Sequence, residues 1–218
     1  MPKQAPPTRF TGTPATINLP AGTVLSRVHR TKYSGIDFNP VGSDILFGGG
    51  RFDSTDLDPS DYLYAGESDA TAIAETLLRD VEANDRGYRF LPKRVWGGRE
   101  LSRIETTVDL EFVSLRTGQD LGAIGTDTWL TTSDADDYPQ TRAWAQWLRH
   151  TRPSAVGLAW LSKREPGTTS YVVFGDSSPT AAFRLVSPPV SGGCIFDEPD
   201  GFEWLRNHLA RYRVSIRQ

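Results

Sequence analysis

The chain has 218 residues, of which 38% are hydrophobic and 23% are charged, and its formal net charge at pH 7 is -3. A chain of this length can bury one substantial core. This composition excludes a disordered protein. A transmembrane helix is excluded because no apolar run approaches the roughly 20 residues that it needs. The basic residues are scattered rather than arranged in a stripe, so we expect neither nucleic acid nor a membrane as a partner.

Cysteine and histidine usage bears on metals and on the cellular compartment. The single cysteine, Cys194, excludes an intrachain disulfide and both common zinc spacings, and the three histidines are far apart in the sequence. The N-terminus lacks the apolar core of a signal peptide. We therefore predict a cytoplasmic protein without a metal centre.

The first part of the chain predicts two strands separated by a long loop. Residues 1–20 are rich in Pro and Thr and are expected to be extended or poorly ordered. Alternating side chains predict a strand over residues 22–30, with Arg27 projecting from one of its faces. Residues 34–61 are rich in Gly, Asp, Ser and Pro, so they are expected to form a loop before a short strand over residues 61–65.

The helix that follows carries a glutamate away from its apolar stripe. Ser68 can cap this helix, and apolar residues at helical spacing predict that it continues from residue 69 to about Ala83. Glu75 lies about 130° from the centre of the apolar stripe when each residue turns the helix by about 100°. It is therefore expected at the flank of the helix or outside it, where it need not serve the core.

The remaining elements predict a mixed fold. Further strands are expected over residues 101–107, 110–115, 155–161, 170–174 and 182–186, and further helices over residues 140–150 and 202–212. Strands predominate, and no regular βαβ alternation is present. The sequence therefore predicts one mixed-sheet α/β (α+β) domain over residues 21–218 rather than a doubly wound sheet.

Familiar nucleotide-binding and hydrolase signatures are absent. The run Gly48-Gly49-Gly50-Arg51 has neither the spacing of a dinucleotide fingerprint nor the Lys-Ser/Thr ending of a P-loop. No Gly-x-Ser-x-Gly elbow is present either. Hydrolysis by a serine triad or by a metal therefore has little support.

An ordered set of short motifs resembles the RES domain, a family named for an arginine, a glutamate and a serine. The motifs are Arg27, Gly50-Arg51-Phe52, Leu63-Tyr64-Ala65 with Ser68, and Ala72-Ile73-Ala74-Glu75. The serine of the family would be Ser162, which ends a hydrophobic segment and precedes another hydrophobic strand. The resemblance covers about residues 25–185, and the spacing from the tyrosine to the glutamate is its most specific part.

The resemblance implies a fold, a substrate and a partner. RES proteins resemble ADP-ribosyltransferases of the diphtheria-toxin kind in fold. Many are toxins of toxin–antitoxin pairs that consume NAD+ and are held inactive by an Xre-type antitoxin. For this chain the resemblance implies such an antitoxin partner and an NAD+ pocket bounded by Arg27, Arg51, Tyr64, Glu75 and Ser162.

The chemistry of these residue types agrees with cleavage of the nicotinamide–ribosyl bond. That reaction builds positive charge on the ribose C1, which a carboxylate such as Glu75 stabilises more strongly in the transition state than in the substrate. The pyrophosphate needs the planar fork of an arginine, for which Arg27 is the first choice and Arg51 the second. Tyr64 could stack on nicotinamide, while Ser162 could bond a ribose hydroxyl or orient the acceptor.

Simpler interpretations of the single residues stay open, and so do three functions. An arginine can serve a surface ion pair, a tyrosine can belong to the core, and a serine before Lys163 can start a turn. The main prediction is an enzyme that consumes NAD+ as its substrate, with water or phosphate as the acceptor. The alternatives are an ADP-ribosyltransferase that modifies a macromolecule and a non-catalytic nucleotide-binding or interaction module.

Overall fold

The computed structural model describes residues 5–79, 81–186 and 194–218. Residues 1–4 of the expected N-terminal segment and Asp80 of the expected helix lie outside these ranges. None of the helices in the described ranges is both long and apolar enough to cross a membrane.

Every strand and helix predicted from periodicity is present, together with several shorter elements. The strands are Thr16–Leu19 (β1), Val24–Arg30 (β2), Tyr62–Gly66 (β3), Arg89–Phe90 (β4), Arg99–Thr106 (β5), Leu110–Leu115 (β6), Gly157–Leu161 (β7), Thr169–Phe174 (β8), Phe183–Leu185 (β9), Cys194–Ile195 (β10) and Val214–Ser215 (β11). The helices are Asp69–Leu77 (α1), Lys93–Trp96 (α2), Gly118–Ala123 (α3), Trp129–Thr132 (α4), Tyr138–Thr151 (α5) and Pro199–Ala210 (α6), with a 3₁₀ turn at Ala135–Asp137.

The large sheet is mixed, as the sequence predicts. Its strands lie in the order β1-β6-β7-β8-β3-β2-β5-β10, and β9 also pairs with β5. β6 and β7 pair in parallel, whereas the other neighbours in this sheet are antiparallel. The strand β11 pairs with β4 in a separate small sheet.

Two hydrophobic clusters lie side by side under the helices. The first joins Val28 of β2 and Leu101 of β5 to buried residues of α1 and α6. The second joins Val172 of β8 to Trp144 and Leu148 of α5. A third cluster includes buried residues of β2, β3, β5, β6 and β8. The boundary between the first two clusters falls between β2 and β3.

Helix α1 is shorter than predicted. It ends at Leu77 and not near Ala83. The carbonyl of Arg79 accepts a hydrogen bond from Nη2 of Arg164 at 2.5 Å, and Nη2 of Arg79 donates to the carbonyl of Gly49 at 3.0 Å. These long-range hydrogen bonds hold the chain on a non-helical path directly after α1, and helical spacing in the sequence carries no sign of them.

Part of the N-terminal segment lies on the domain as an edge strand. β1 pairs with β6, with Leu19 opposite Leu110. The ring of Phe10 packs edge-to-face on Trp147 of α5, with 5.0 Å between the ring centroids. Both β6 and α5 therefore contact this segment.

Asp69 ties the start of α1 to the sheet. Its carboxylate accepts hydrogen bonds from Oγ of Ser26 at 2.6 Å and from Nε and Nη2 of Arg103 at 3.1 and 2.6 Å. Burial by itself raises the pKa of Asp69, but the hydrogen bonds from Arg103 and Ser26 outweigh it and hold that pKa below its ordinary value. The ionised carboxylate is therefore the form that stabilises the fold.

This carboxylate predicts a dependence of stability on pH. A carboxyl group whose pKa is lowered by folding stabilises the protein above its unfolded pKa of about 3.9, and the contribution is lost as pH falls through the folded pKa. We expect Asp69→Asn to be less stable than the wild type at pH 7 and the difference to shrink as pH falls below about 5. Denaturant unfolding at a series of pH values measures it, and a difference independent of pH would contradict the prediction.

A glycine in the sheet gives a second prediction about stability. A Cβ added to Gly157 of β7 would lie 1.9 Å from the carbonyl oxygen of Val172 on β8, a backbone atom that cannot turn aside. We expect Gly157→Ala to lower the free energy of unfolding by about 3 kcal/mol or more, because β7 and β8 must separate. Urea unfolding gives this value.

The matched control for that substitution is Gly118→Ala at the start of α3. A Cβ there meets no atom within 4 Å. Its free energy of unfolding should stay within about 1 kcal/mol of the wild type. Equal stability of the two alanine variants would show that β7 and β8 are not packed as described.

Candidate active site

A cleft opens where the sheet splits. Strands β2 and β3 are neighbours, yet along their described lengths they pair at Ser26 opposite Gly66 and then diverge. The resulting cleft has a volume of about 530 Å³ and is lined by both strands, by α1 and by the loops that follow β2 and β7. Clefts of this size take small molecules and cofactors.

Glu75 projects from α1 into this cleft. Its Oε1 atom accepts a hydrogen bond of 2.5 Å from Oγ of Ser162 and a longer one of 3.4 Å from the backbone N–H of Arg164. Within the described ranges its Oε2 atom makes no hydrogen bond. One carboxylate oxygen is therefore held by the protein, while the other is available to a ligand.

Ser162 lies behind Glu75 rather than in the cleft wall. Its side chain is buried, and its Oγ atom accepts hydrogen bonds from the backbone N–H groups of Arg164 at 3.1 Å and Glu165 at 2.8 Å. The same hydroxyl thus closes the turn after β7 and donates a hydrogen bond to Glu75. In this geometry Ser162 orients the glutamate.

Arg27 reaches the cleft from the other face of the sheet. Successive residues of β2 point to opposite faces of the sheet, so Arg27 and Ser26 lie on different faces. Ser26 lies on the face of α1, since its hydroxyl donates to Asp69. Nη1 of Arg27 donates to the carbonyls of Gly35 at 2.9 Å and Asp37 at 2.6 Å. Burial lowers the pKa of Arg27 to about 10, and the charge of Asp37 raises it in part, so the guanidinium stays charged at neutral pH.

Arg51 is buried at the wall of the cleft. Its guanidinium donates to the carbonyl of Ser133 at 3.0 Å and to Oγ of the same residue at 3.4 Å. It also lies over the ring of Tyr138, with 5.6 Å from Cζ to the ring centroid. Part of its hydrogen-bonding capacity therefore holds the loop before α5.

Tyr64 presents its ring, not its hydroxyl, to the cleft. The hydroxyl donates to Oδ1 of Asp53 at 2.8 Å and accepts from the backbone N–H of Phe52 at 3.0 Å. Burial and the charge of Asp53 raise the pKa of Tyr64 well above its ordinary value. Its ring stands edge-on to Trp160, with 6.2 Å between the centroids. Both residues line the cleft.

Two glycines of the run before Arg51 leave no room for a side chain. Gly49 has a φ of +72°, and a Cβ there would lie 2.3 Å from Oγ of Ser43. A Cβ on Gly50 would lie 2.4 Å from Oδ1 of Asp53, whose other oxygen accepts the N–H of Gly50 at 2.6 Å. Nη1 of the buried Arg142 donates to the carbonyl of Gly48 at 2.7 Å. The run therefore lets the loop fold tightly around Asp53.

The charges around the cleft favour an anionic ligand. Its lining includes the cations Arg27, Arg30, Lys32, Arg51, Arg79, Arg99, Lys163 and Arg164 and the anions Asp37, Asp53 and Glu75. This excess of positive charge stands in a chain whose net charge is -3. Such a concentration of one sign in a cleft raises the local concentration of ligands with the opposite sign.

Residues 24–192, well over half of the chain, match the family model of the RES domain. The chain belongs to the RES domain family. The matched segment contains the whole of the cleft described above, with its strands β2 and β3, helix α1 and the turn after β7.

A solved structure shares the fold of this RES domain. It is a chain in the crystal structure of the M. tuberculosis MbcT–MbcA toxin–antitoxin complex, with 17% sequence identity and a TM-score of 0.54. The likeness covers 78% of this chain and 84% of that chain. It confirms the predicted fold class, a single mixed-sheet α/β domain. No curated protein matches the chain in sequence.

The RES cleft also contains residues that the sequence did not single out. Arg79 follows Glu75 by four residues, a spacing that would place both on one side of the longer helix that the sequence predicts, but α1 ends at Leu77. Its guanidinium lies 4.6 Å from the centroid of the Tyr138 ring. Trp160 lies near the end of β7, Arg164 lies in the turn after it, and Tyr138 is the first residue of α5. Only the folded chain brings these three to the cleft.

Removing the hydroxyl of Tyr64 separates its contacts with Asp53 and Phe52 from the presence of its ring at the cleft. Tyr64→Phe keeps the ring at the cleft but leaves the N–H of Phe52 without its acceptor and Asp53 without one donor. We expect a loss of about 1–3 kcal/mol in the free energy of unfolding, measured with urea. Tyr88→Phe, a change on an exposed ring, should change it by less than about 0.5 kcal/mol. If both variants were equally stable, the hydrogen bonds of the Tyr64 hydroxyl would contribute nothing to the free energy of unfolding.

Proposed function

We propose that this RES domain is an enzyme that binds NAD+ and cleaves its nicotinamide–ribosyl bond, with water or phosphate as the acceptor. The observation that carries the proposal is the carboxylate of Glu75 at the wall of a cation-lined cleft of about 530 Å³. It is held through Oε1, while Oε2 accepts no hydrogen bond from the residues that the structure describes. A fixed carboxylate oxygen next to an anion-binding wall suits a substrate that carries phosphates and develops positive charge on a sugar.

Glu75 would act on the charge that develops at ribose C1. As the bond to nicotinamide breaks, its electron pair leaves with nicotinamide and the ribose becomes an oxocarbenium-like cation. The carboxylate can lie under the ring or accept a hydrogen bond from the ribose 2-hydroxyl, and either interaction strengthens as the cation forms. Because Ser162 already fixes Oε1, little reorganisation is needed at that moment.

The rest of the cleft would bind the pyrophosphate and the nicotinamide of NAD+. Arg27 and Arg51 remain our candidates for the pyrophosphate, with Arg79 and Arg164 as further cations in the same lining. Their forked guanidinium groups suit phosphate oxygens. The rings of Tyr64 and Trp160 supply flat apolar surface near these charges, where nicotinamide could stack and water would be excluded.

We also propose that the protein is the toxin of a toxin–antitoxin pair whose partner is an Xre-type antitoxin. Support comes from membership of the RES domain family and from the fold shared with a chain of a toxin–antitoxin complex. An enzyme that consumes NAD+ in its own cell needs an inhibitor, and this need agrees with a protein partner. Co-expression with the neighbouring reading frame, followed by co-purification, tests this part.

The central experiment measures nicotinamide release from NAD+ by the purified protein, with and without inorganic phosphate. We expect release by the wild type and a loss of at least about 100-fold with Glu75→Gln, because the neutral amide cannot stabilise the cation. The thermal midpoint should stay nearly unchanged, since the amide oxygen can still accept the hydrogen bond from Ser162.

A glutamate remote from the cleft provides the control. Glu203→Gln changes an exposed residue of α6 that pairs with Arg206, and its rate should equal that of the wild type. Labelled NAD+ distinguishes small products from a modified macromolecule. A folded wild type that releases no nicotinamide under either condition, or a Glu75→Gln variant as fast as Glu203→Gln, would overturn the proposal.

A further inference from the structure

The turn after β7 that holds Ser162 is itself held by the C-terminal part of the chain. The hydroxyl of Tyr212 donates to Oε2 of Glu165 at 2.6 Å, and the backbone N–H of Glu165 donates to Oγ of Ser162 at 2.8 Å. Oγ of Ser162 in turn donates to Glu75 at 2.5 Å. A chain of hydrogen bonds thus runs from Tyr212 to the carboxylate in the cleft.

Further hydrogen bonds in this turn connect Glu165 to Ser162 and to helix α1. The carbonyl of Glu165 accepts from Oγ1 of Thr168 at 2.8 Å, and the carbonyl of Thr168 accepts from the N–H of Ser162 at 2.9 Å. Oγ1 of Thr71 on α1 donates to Oγ1 of Thr168 at 2.8 Å. The turn therefore contacts the helix that carries Glu75 through Ser162 and Arg164, which bond Glu75, and through Thr168, which bonds Thr71.

Tyr212 is held in place by the core, so it can serve as the fixed end of this series of hydrogen bonds. It follows α6, which is packed into the core by buried Leu205 and Leu209. Its ring lies 6.1 Å from His208, whose ring stacks on Trp204 with 5.1 Å between the centroids. Burial and the hydrogen bond to Glu165 raise the pKa of Tyr212, so its hydroxyl stays protonated and remains a donor at neutral pH.

We propose that Tyr212 and Glu165 are positioning residues, through which α6 holds the Ser162 turn and thereby the catalytic orientation of Glu75. The inference rests on the proposed function of the cleft and deepens it. Residues of α6 lie beyond the segment that matches the RES family model, which ends at residue 192. The orientation of the carboxylate therefore depends on a part of the chain outside that segment.

Tyr212→Phe removes one oxygen atom and keeps the ring beside His208. We expect kcat for nicotinamide release to fall about 10-fold with little change in KM, because a displaced carboxylate loses transition-state stabilisation, and a shift of about 1 Å can cost about 100-fold. Glu165→Leu should lower kcat to a similar degree, and the double variant should lose no more than either single one. Glu165→Gln keeps an acceptor oxygen and should lose less.

Amide hydrogen exchange gives a readout that does not depend on turnover. The N–H groups of Arg164 and Glu165, which both donate to Ser162, should exchange faster in Tyr212→Phe than in the wild type and in the control Tyr88→Phe. If the wild type releases no nicotinamide, the proposed reaction fails, while the exchange rates still test the contact. Unchanged exchange of both amides, or an active Tyr212→Phe with unchanged kcat, would overturn the positioning role.

Discussion

The divergence of β2 from β3 is the constraint on which the rest of the site depends. The two strands meet at Ser26 and Gly66, and the cleft begins where their ladder stops. Gly66 makes this junction possible, because a Cβ there would lie 2.8 Å from the backbone nitrogen of Ala72 and from Cβ of Thr71. Helix α1 can therefore start directly over the junction, with Asp69 bonded to Ser26 on one strand and Arg103 on the next.

The split also explains why the site draws on both faces of one sheet. In a continuous sheet, successive residues of a strand point to opposite faces and cannot meet at one ligand. Once the neighbouring strand moves away, the exposed edge of β2 lets Arg27 contribute from one face while Glu75 approaches with α1 from the other. The aromatic rings of Tyr64 and Trp160 also line the cleft.

Three arginines of the cleft lining also hold loops of the protein. Arg27 bonds the carbonyls of Gly35 and Asp37, Arg51 bonds Ser133, and Arg79 bonds Gly49. Each of these carbonyls belongs to a loop rather than to a strand of the large sheet. An anion that bound these guanidinium groups would compete with the loop carbonyls for the same N–H donors.

The sequence by itself determined the alternation of β2, the strand and helix segments, the mixed class of the sheet and the order of the motifs that contain Arg27, Tyr64 and Glu75. These are local or ordered signals, and they follow from periodicity along the chain. Tertiary structure alone decided where α1 ends, which oxygen of Glu75 is held and that Ser162 lies behind it. The hydrogen bond between Ser162 and Glu75 joins residues 87 positions apart, and no periodicity encodes such a contact.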